Sequence, residues 1–454
     1  MKFETIKTFI LTVLIGISIL LSFTLWSYQP NSNQVISSES GNREVDAGGS
    51  GEETKQSLIK PTDIIFHTAS GYYGFNDPTA QDQLYQQIQE WSISNYEVLD
   101  SDETVERSPE VIELIFGDEI PTKILDPLFN FGPDDIIFPN SSMKRLYISF
   151  VHDSKSLQLE FVSDESNQRA VALVNDTNIY EQLSVMMTEM DEDAYREYLV
   201  MNEQTNPIYV PSGKVSLSSY SITPTQIQPT LFVNILFPNP AVVRVTNSQT
   251  IGEAYFTDNR QMSVYQNGKR MEYISHISPS TDEPDRVINE ADLLDRSINN
   301  INNHSGWTYE LRLDQDYRLD DVNLNTNQVT YQMHYKSYPV FNIHKLATIQ
   351  QRWSVYQNSM QLVEYDRPLY LFDSEFELRE IALSSGESII SSLETDTDVS
   401  MENIQDVRIG YELNYQRDDQ NSEYFEMIPA WYKKENNSWQ KIVFDEETQG
   451  RGGK

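Results

Sequence analysis

The run FILTVLIGISILLSFTLW, residues 9–26, carries no charge across eighteen positions. As an α-helix it would reach about 27 Å at ~1.5 Å per residue, close to the hydrocarbon thickness of a bilayer. Trp26 and Tyr28 stand where an interfacial aromatic belt would sit, and Gln29-Pro30 ends the helix. A secretory signal peptide has a shorter core, about 7–15 residues, and a small-x-small cleavage site. Here the run is longer, and no alanine occurs before Ala47. The stretch reads as a retained anchor. Lys2 and Lys7 outweigh Glu4 on its leading side, which puts residues 1–8 in the cytoplasm and the chain beyond residue 26 outside the cell. The expected arrangement is a single-pass protein of the cell membrane with an extracellular C-terminal region.

Composition narrows the function classes. Of 454 residues, 33 are Lys or Arg and 69 are Asp or Glu, a net charge of −36, with the acids spread along the chain. Such a surface repels nucleic-acid phosphates and offers no polybasic handle for anionic lipid, so no nucleic-acid partner is expected. The chain has no cysteine, which excludes disulfide frameworks and thiolate metal sites. An exported protein that forgoes disulfides suggests a Gram-positive surface. The 26 tyrosines suit β-rich domains.

Residues 27–57 hold almost nothing to bury and read as a disordered stalk. Asp77-Pro78, followed by Leu84, Ile88 and Trp91, predicts a capped amphipathic helix. Segments 144–151, 157–162 and 170–174 read as strands, and 177–202 as one long helix with a methionine stripe. Breaks at Asn206-Pro207 and Pro211-Ser212-Gly213 close an N-terminal ectodomain, 58–205. Strands are expected at 230–237, 241–246, 262–267 and 270–276, with Asn267-Gly268 as a two-residue hairpin signal. A helix over about 284–303 and long strands up to 370 complete a middle ectodomain, 206–372. A helix near 388–393 and a strand pair, 407–415 with 425–433, make a C-terminal ectodomain, 373–446, ahead of a disordered tail, 447–454.

Two stretches look alike. VTYQMHY (329–335) is followed by Tyr338-Pro339-Val340-Phe341, and IGYELNY (409–415) by Ile428-Pro429-Ala430-Trp431-Tyr432. The last two ectodomains therefore read as related helix-plus-antiparallel-hairpin units. The expected fold class is α+β: a single N-terminal transmembrane helix, then a three-domain extracellular region. Segments 338–342 and 427–432 read as strand starts, with recognition edges as the functional alternative.

Signals for chemistry are sparse. Ser-x-x-Lys occurs at Ser57/Lys60, Ser141/Lys144 and Ser438/Lys441, with no Lys-Thr-Gly or Ser-Asp-Asn beside it. The six histidines form no His-Glu-x-x-His pair. Asp314, Asp316, Asp320 and Asp321 approximate a calcium loop without the glycine and closing glutamate of an EF-hand, and read as a solvated turn. No catalytic, cofactor-binding or metal residue is assigned, and the chain does not read as an enzyme. The anchor carries the sharper pattern. Thr8, Thr12 and Gly16 form one small-residue stripe, and Ser18 and Ser22 a second nearly opposite. Small residues let helices approach closely in lipid, so both stripes are expected transmembrane partner interfaces.

The start, Ile6-Lys7-Thr8-Phe9-Ile10-Leu11-Thr12-Val13-Leu14, with Leu25-Trp26-Ser27-Tyr28-Gln29-Pro30 closing the span, resembles the YycH family. So do Gly252-Glu253-Ala254-Tyr255 with Thr257-Asp258-Asn259-Arg260, and Gly306-Trp307 with Tyr338-Pro339-Val340-Phe341-Asn342. The resemblance runs the length of the chain, and the long acidic stalk is its main departure. It implies a membrane-anchored extracytoplasmic accessory protein of the WalK–WalR two-component system, which controls cell-wall metabolism in low-GC Gram-positive bacteria. It also implies contact with the sensor histidine kinase (WalK, or YycG) through transmembrane helices, a YycI-type sister protein as partner, and three ectodomains of which the last two resemble YycI. The family lends no catalytic residue and no cofactor. The expected function is modulation of that kinase. The rivals are an extracellular ligand-sensing module for wall fragments or calcium, and a wall-active enzyme or enzyme inhibitor.

Overall fold

Alternation of apolar and polar residues along most of the chain builds two large sheets. The structure is a computed structural model, and it describes residues 49, 51–99, 105, 107–132, 136, 138–139, 141–164, 168–202, 206–248, 252–276, 289–356, 359–396, 400–418, 420 and 422–443. The expected span 9–26, most of the stalk and the tail lie outside them. Among the described residues no helix is long and apolar enough to cross a membrane.

The first sheet contains β1 (Pro61–Thr68), β2 (Gly71–Phe75), β3 (Ser92–Leu99), β4 (Val111–Pro121) and β5 (Asn130–Phe131). It continues with β6 (Ser142–Val151), β7 (Ser156–Val162), β8 (Arg169–Val174), β9 (Tyr195–Met201) and β10 (Ile208–Pro211). The spatial order is β10-β9-β2-β1-β4-β6-β7-β8-β3-β5. Helices α1 (Pro78–Glu90) and α2 (Thr177–Thr188) bury Leu84, Tyr85 and Ile88, and Tyr180, Leu183 and Met187, in the same core as Ile64, Leu114 and Leu146. α1 starts as expected: Asp77 accepts from the Thr79 N–H at 2.9 Å, with Pro78 in the first turn. Gln81 then fastens α1 to β1, accepting from the Ile64 N–H at 3.0 Å and donating to the Thr62 carbonyl at 3.1 Å.

The helix expected over 177–202 stops at Thr188. Ala194 and Tyr195 both donate to the Asp191 carbonyl in a turn, and the chain leaves it as β9, between β2 and β10. Helical spacing of apolar residues ends before Asp191, and the next seven residues suit a strand between two neighbours. The expected strand at 230–237 is the helix α3 (Pro229–Leu236), which buries Phe232, Val233 and Leu236. A short apolar run does not separate strand from helix by periodicity, and Pro229 at the first helical position decides it here.

The second sheet begins with β11 (Ser216–Gln226), β12 (Arg244–Ser248), β13 (Gly252–Phe256), β14 (Arg260–Tyr265) and β15 (Arg270–Ser275). Asn267-Gly268 does turn the chain between β14 and β15, but inside a four-residue loop, since Tyr265 pairs with Arg270. After α4 (Glu290–Asn302) come β16 (Gln315–Asn323), β17 (Gln328–Tyr335), β18 (Tyr338–Phe341), β19 (Thr348–Tyr356), β20 (Ser359–Pro368) and β21 (Tyr370–Ala382). After α5 (Gly386–Thr395) come β22 (Ile404–Arg417), β23 (Glu423–Glu435) and β24 (Ser438–Lys441). The order is β12-β13-β14-β15-β20-β19-β17-β18-β22-β23-β11-β21, with β16 on β17 and β24 on β23.

Two stretches share an element order: α4-β16-β17-β18 and α5-β22-β23-β24. Each closes on a two-residue turn with both residues left-handed, Lys336 and Ser337 (φ 50° and 63°) and Asn436 and Asn437 (52° and 57°). The look-alike sequences do not occupy equivalent strands, however. VTYQMHY lies in β17, the second strand after its helix, whereas IGYELNY lies in β22, the first. The two stretches join in one sheet through the parallel pair β18–β22.

Two expected boundaries shift. Residues 372 and 373 both fall inside β21, and β11, from the start of the expected middle region, pairs with both β21 and β23. The stalk, expected to run to residue 57, is already ordered before that. Glu53 N–H donates to Asn302 Oδ1 at 3.0 Å, Lys55 pairs with Asp295 at 2.6 Å, and 55–58 form one helical turn. Those partners stand more than two hundred positions away, so local composition could not reveal them.

Candidate functional site

Lys60, at the entry to β1, reaches the second sheet. Its Nζ lies 2.8 Å from Asp316 of β16 and 3.4 Å from Asp82 of α1. Arg318, two residues along β16, donates to Asp82 at 2.8 Å and to Asp316 at 3.3 Å. Four alternating charges thus bind the two sheets at one point. Burial alone would raise the Asp316 carboxyl, but Arg318 and Lys60 outweigh it and hold it well below the usual carboxylate range. His334, beside this cluster on β17, is pushed down to about 3 by burial and by Arg318, so its ring is neutral at physiological pH. The expected solvated aspartate turn is therefore corrected: Asp316 is part of a partly buried ion network. Asp320 and Asp321 face Asp118 of β4, and burial followed by that neighbour lifts Asp321 to about 6.

Next to the network is a cavity of 120 Å³, walled by β1, β9 and β10 on one side and β16–β18 and β22–β24 on the other. It adjoins a wider cleft of 880 Å³ that shares Lys60, Arg196, Ser337 and Tyr338 with it. A β-bulge at Thr62 breaks the alternation of β1 and leaves Asp63 on the cavity wall. Burial pushes the Asp63 carboxyl up to about 6, against the pull of Arg408 on β22. Arg408 is itself bonded to Asp406 and lies over the Trp439 ring, 5.1 Å from its centroid.

The same wall shows what became of segments 338–342 and 427–432. β18 is paired on both sides, and Phe341 stacks on Tyr432 at 4.0 Å and packs on Trp439 at 5.1 Å between centroids. They are interior strands that meet each other. Gly410 permits this: a Cβ there would fall 2.5 Å from the Phe341 ring and 2.6 Å from the Pro339 carbonyl.

A second buried group fixes the link to β10. Glu113 of β4 accepts from the Arg145 guanidinium, from Tyr209 at 2.9 Å and contacts His67 Nε2 at 2.8 Å. Arg145 also reaches Asn206 and the Pro207 carbonyl, at 2.6 and 2.9 Å. Burial would raise Glu113, but His67 and Arg145 bring it down to about 2.

The lysines of the three Ser-x-x-Lys matches are committed elsewhere: Lys60 as above, Lys144 to Asp164 at 3.1 Å, and Lys441 to Glu412 at 3.0 Å. None is poised on its serine. Among the described residues no three His, Asp or Glu side chains converge to hold a metal ion. The expected partner-interface residues Thr8, Thr12, Gly16, Ser18 and Ser22 lie outside the described residues. Asp63, Arg196 and Arg408 carry no local motif; only the lone Asp interrupting an apolar β1 run offered a hint.

Residues 4–192 match the YycH protein N-terminal domain, and residues 205–449 the YycH protein C-terminal domain. The chain belongs to the YycH family. It is 21% identical over 475 aligned positions to the two-component system WalR/WalK regulatory protein YycH of Bacillus subtilis (strain 168), across 98% of this chain and 97% of that protein. The crystal structure of YycH from Bacillus subtilis overlaps 87% of this chain and 99% of its own, with a TM-score of 0.67 at 16% identity. The two share a fold. The family resemblance expected from the sequence is therefore borne out. Its motif residues do structural work here: Trp307 is fully buried with its Nε1 2.6 Å from Asn302 Oδ1, and the Gly306 carbonyl accepts from buried Arg367 at 2.6 Å.

Proposed function

We propose that this protein is a membrane-anchored regulator of a WalR/WalK-type two-component system, acting on the sensor kinase rather than on a substrate. The observation that carries the reading is the end-to-end match to a YycH-family regulatory protein. The uncharged run 9–26 supports a single span with the ectodomains outside the cell. In this reading the anchor packs on the kinase's own spans through Thr8, Thr12 and Gly16 on one side and Ser18 and Ser22 on the other. A YycI-type sister protein binds the ectodomains, the last two of which are related units, and sets the height and rotation of the helix. The anchor shifts the kinase between signalling arrangements only by the difference in its binding energy for them. Exchanging residues 9–26 for an unrelated single span tests this. The chimera should reach the membrane and lose regulation of the kinase; full regulation by the chimera would refute contact through the helix.

A further inference from the structure

The cavity between the two sheets holds two charges that the protein leaves unmatched. Lys60 and Arg318 are balanced by Asp82 and Asp316, and Arg408 by Asp406. Among the described residues no cation forms an ion pair with Asp63, whose support comes from Thr62 and, at longer range, Arg408. Arg196, on β9 opposite Gly74, donates to Asn76 alone, from Nε to Oδ1 at 2.8 Å and from Nη2 to the carbonyl at 2.6 Å. No carboxylate among the described residues forms an ion pair with it. Asp63, Arg196 and the rings of Tyr198 and Tyr338 all line this one cavity. Gly74 leaves room for this, since a Cβ there would fall 2.6 Å from the Tyr198 ring.

Aromatic walls with one carboxylate and one guanidinium, neither of them in an ion pair, are the chemistry that recognises a molecule bearing both an ammonium and a carboxylate. We propose that this cavity binds a small zwitterion, an amino acid or short peptide, with its ammonium on Asp63 and its carboxylate on Arg196. The volume of 120 Å³ is of the order that admits a benzene-sized molecule, ~150 Å³. The adjoining cleft, which shares Arg196 and Tyr338, leaves room for the rest of a peptide. Because the walls come from both sheets, an occupant stabilises the arrangement that joins them. The site goes beyond the regulatory reading and does not depend on it.

The full-length protein in detergent micelles is titrated with glycine and with alanyl-alanine by calorimetry and thermal unfolding. Acetate and methylammonium serve as half-ligands. Saturable binding of glycine or the dipeptide is expected at a Kd of ~1 mM or tighter, with each half-ligand at least about tenfold weaker. Asp63→Asn and Arg196→Gln should each weaken binding by about tenfold or more. Asp63→Asn should also leave the ligand-free unfolding midpoint unchanged or higher, which separates a lost site from a lost fold. The proposal fails if neither probe binds saturably, if both variants bind like the parent, or if acetate alone binds as tightly as the dipeptide.

Discussion

Asp63 and Glu113 sit on neighbouring strands of one sheet, yet burial acts on them with opposite outcomes. Glu113 has His67, Arg145 and Tyr209 around it, and its pKa of about 2 lies below the ordinary 4.5. Its charge therefore stabilises the fold above about pH 4.5, and that stability is lost as pH falls towards 2. Asp63, with only Arg408 and Thr62 in support, has a pKa of about 6, above the ordinary 3.8. Ionising it costs stability as pH rises from 4 through 6, and so does ionising Asp321. Asp63→Asn should stabilise the protein by about 1–3 kcal/mol at pH 7.5 and by little at pH 4, read by urea unfolding. Glu113→Gln should cost about 3–5 kcal/mol at pH 7.5, because it takes from buried Arg145 the closer of its two carboxylate partners and leaves only Asp164, at 3.3 Å. A stability curve that is flat between pH 4 and 7 in the parent and identical in Asp63→Asn would contradict this account. None of these roles was visible in the sequence: a lone charge on a strand looks the same whether its partner is absent or, as for Glu113, 32 to 96 residues away.

At the scale of elements, what the sequence revealed was local chemistry and what it hid was pairing. The Asp77-Pro78 start of α1 was readable because cap and helix are neighbours in the chain. β9 and α3 were not, because both hold short apolar stretches whose state is set by what lies alongside. The β18–β22 seam was equally hidden, although Gly410 sits in its sequence. Gly410→Ala should push β18 from β22 and lower stability by about 1–3 kcal/mol, the usual cost of overpacking, while Gly213→Ala, with open space around it, serves as the control. The double substitution Asp82→Ala with Asp316→Ala removes both carboxylates shared by Lys60 and Arg318. It should speed amide exchange in the first residues of β1 and in β16, with exchange in β6 and β7 unchanged; uniform protection in both regions would mean that the ion network does not hold the sheets together.

For the whole molecule, the two sheets, their ion network and the adjoining cavity make one body in which all three expected ectodomain segments meet, at a single wall formed by β1, β16–β18 and β22. In the proposed reading that geometry suits a regulator whose extracellular part transmits a position, with the uncharged run 9–26 as the span that would carry it to a kinase in the same membrane. The sequence pointed to the family through residues 6–30 and the Gly306-Trp307 region, while the cavity came only from the three-dimensional arrangement. The central claim is regulation of the kinase pathway. It is tested most directly by the phosphorylated fraction of the WalR-type response regulator, measured on phosphate-affinity gels in otherwise identical cells with and without this protein. The account predicts a change in that fraction on deletion, reversed by the full-length chain but not by the chain carrying an unrelated span in place of residues 9–26. An unchanged fraction on deletion would contradict it.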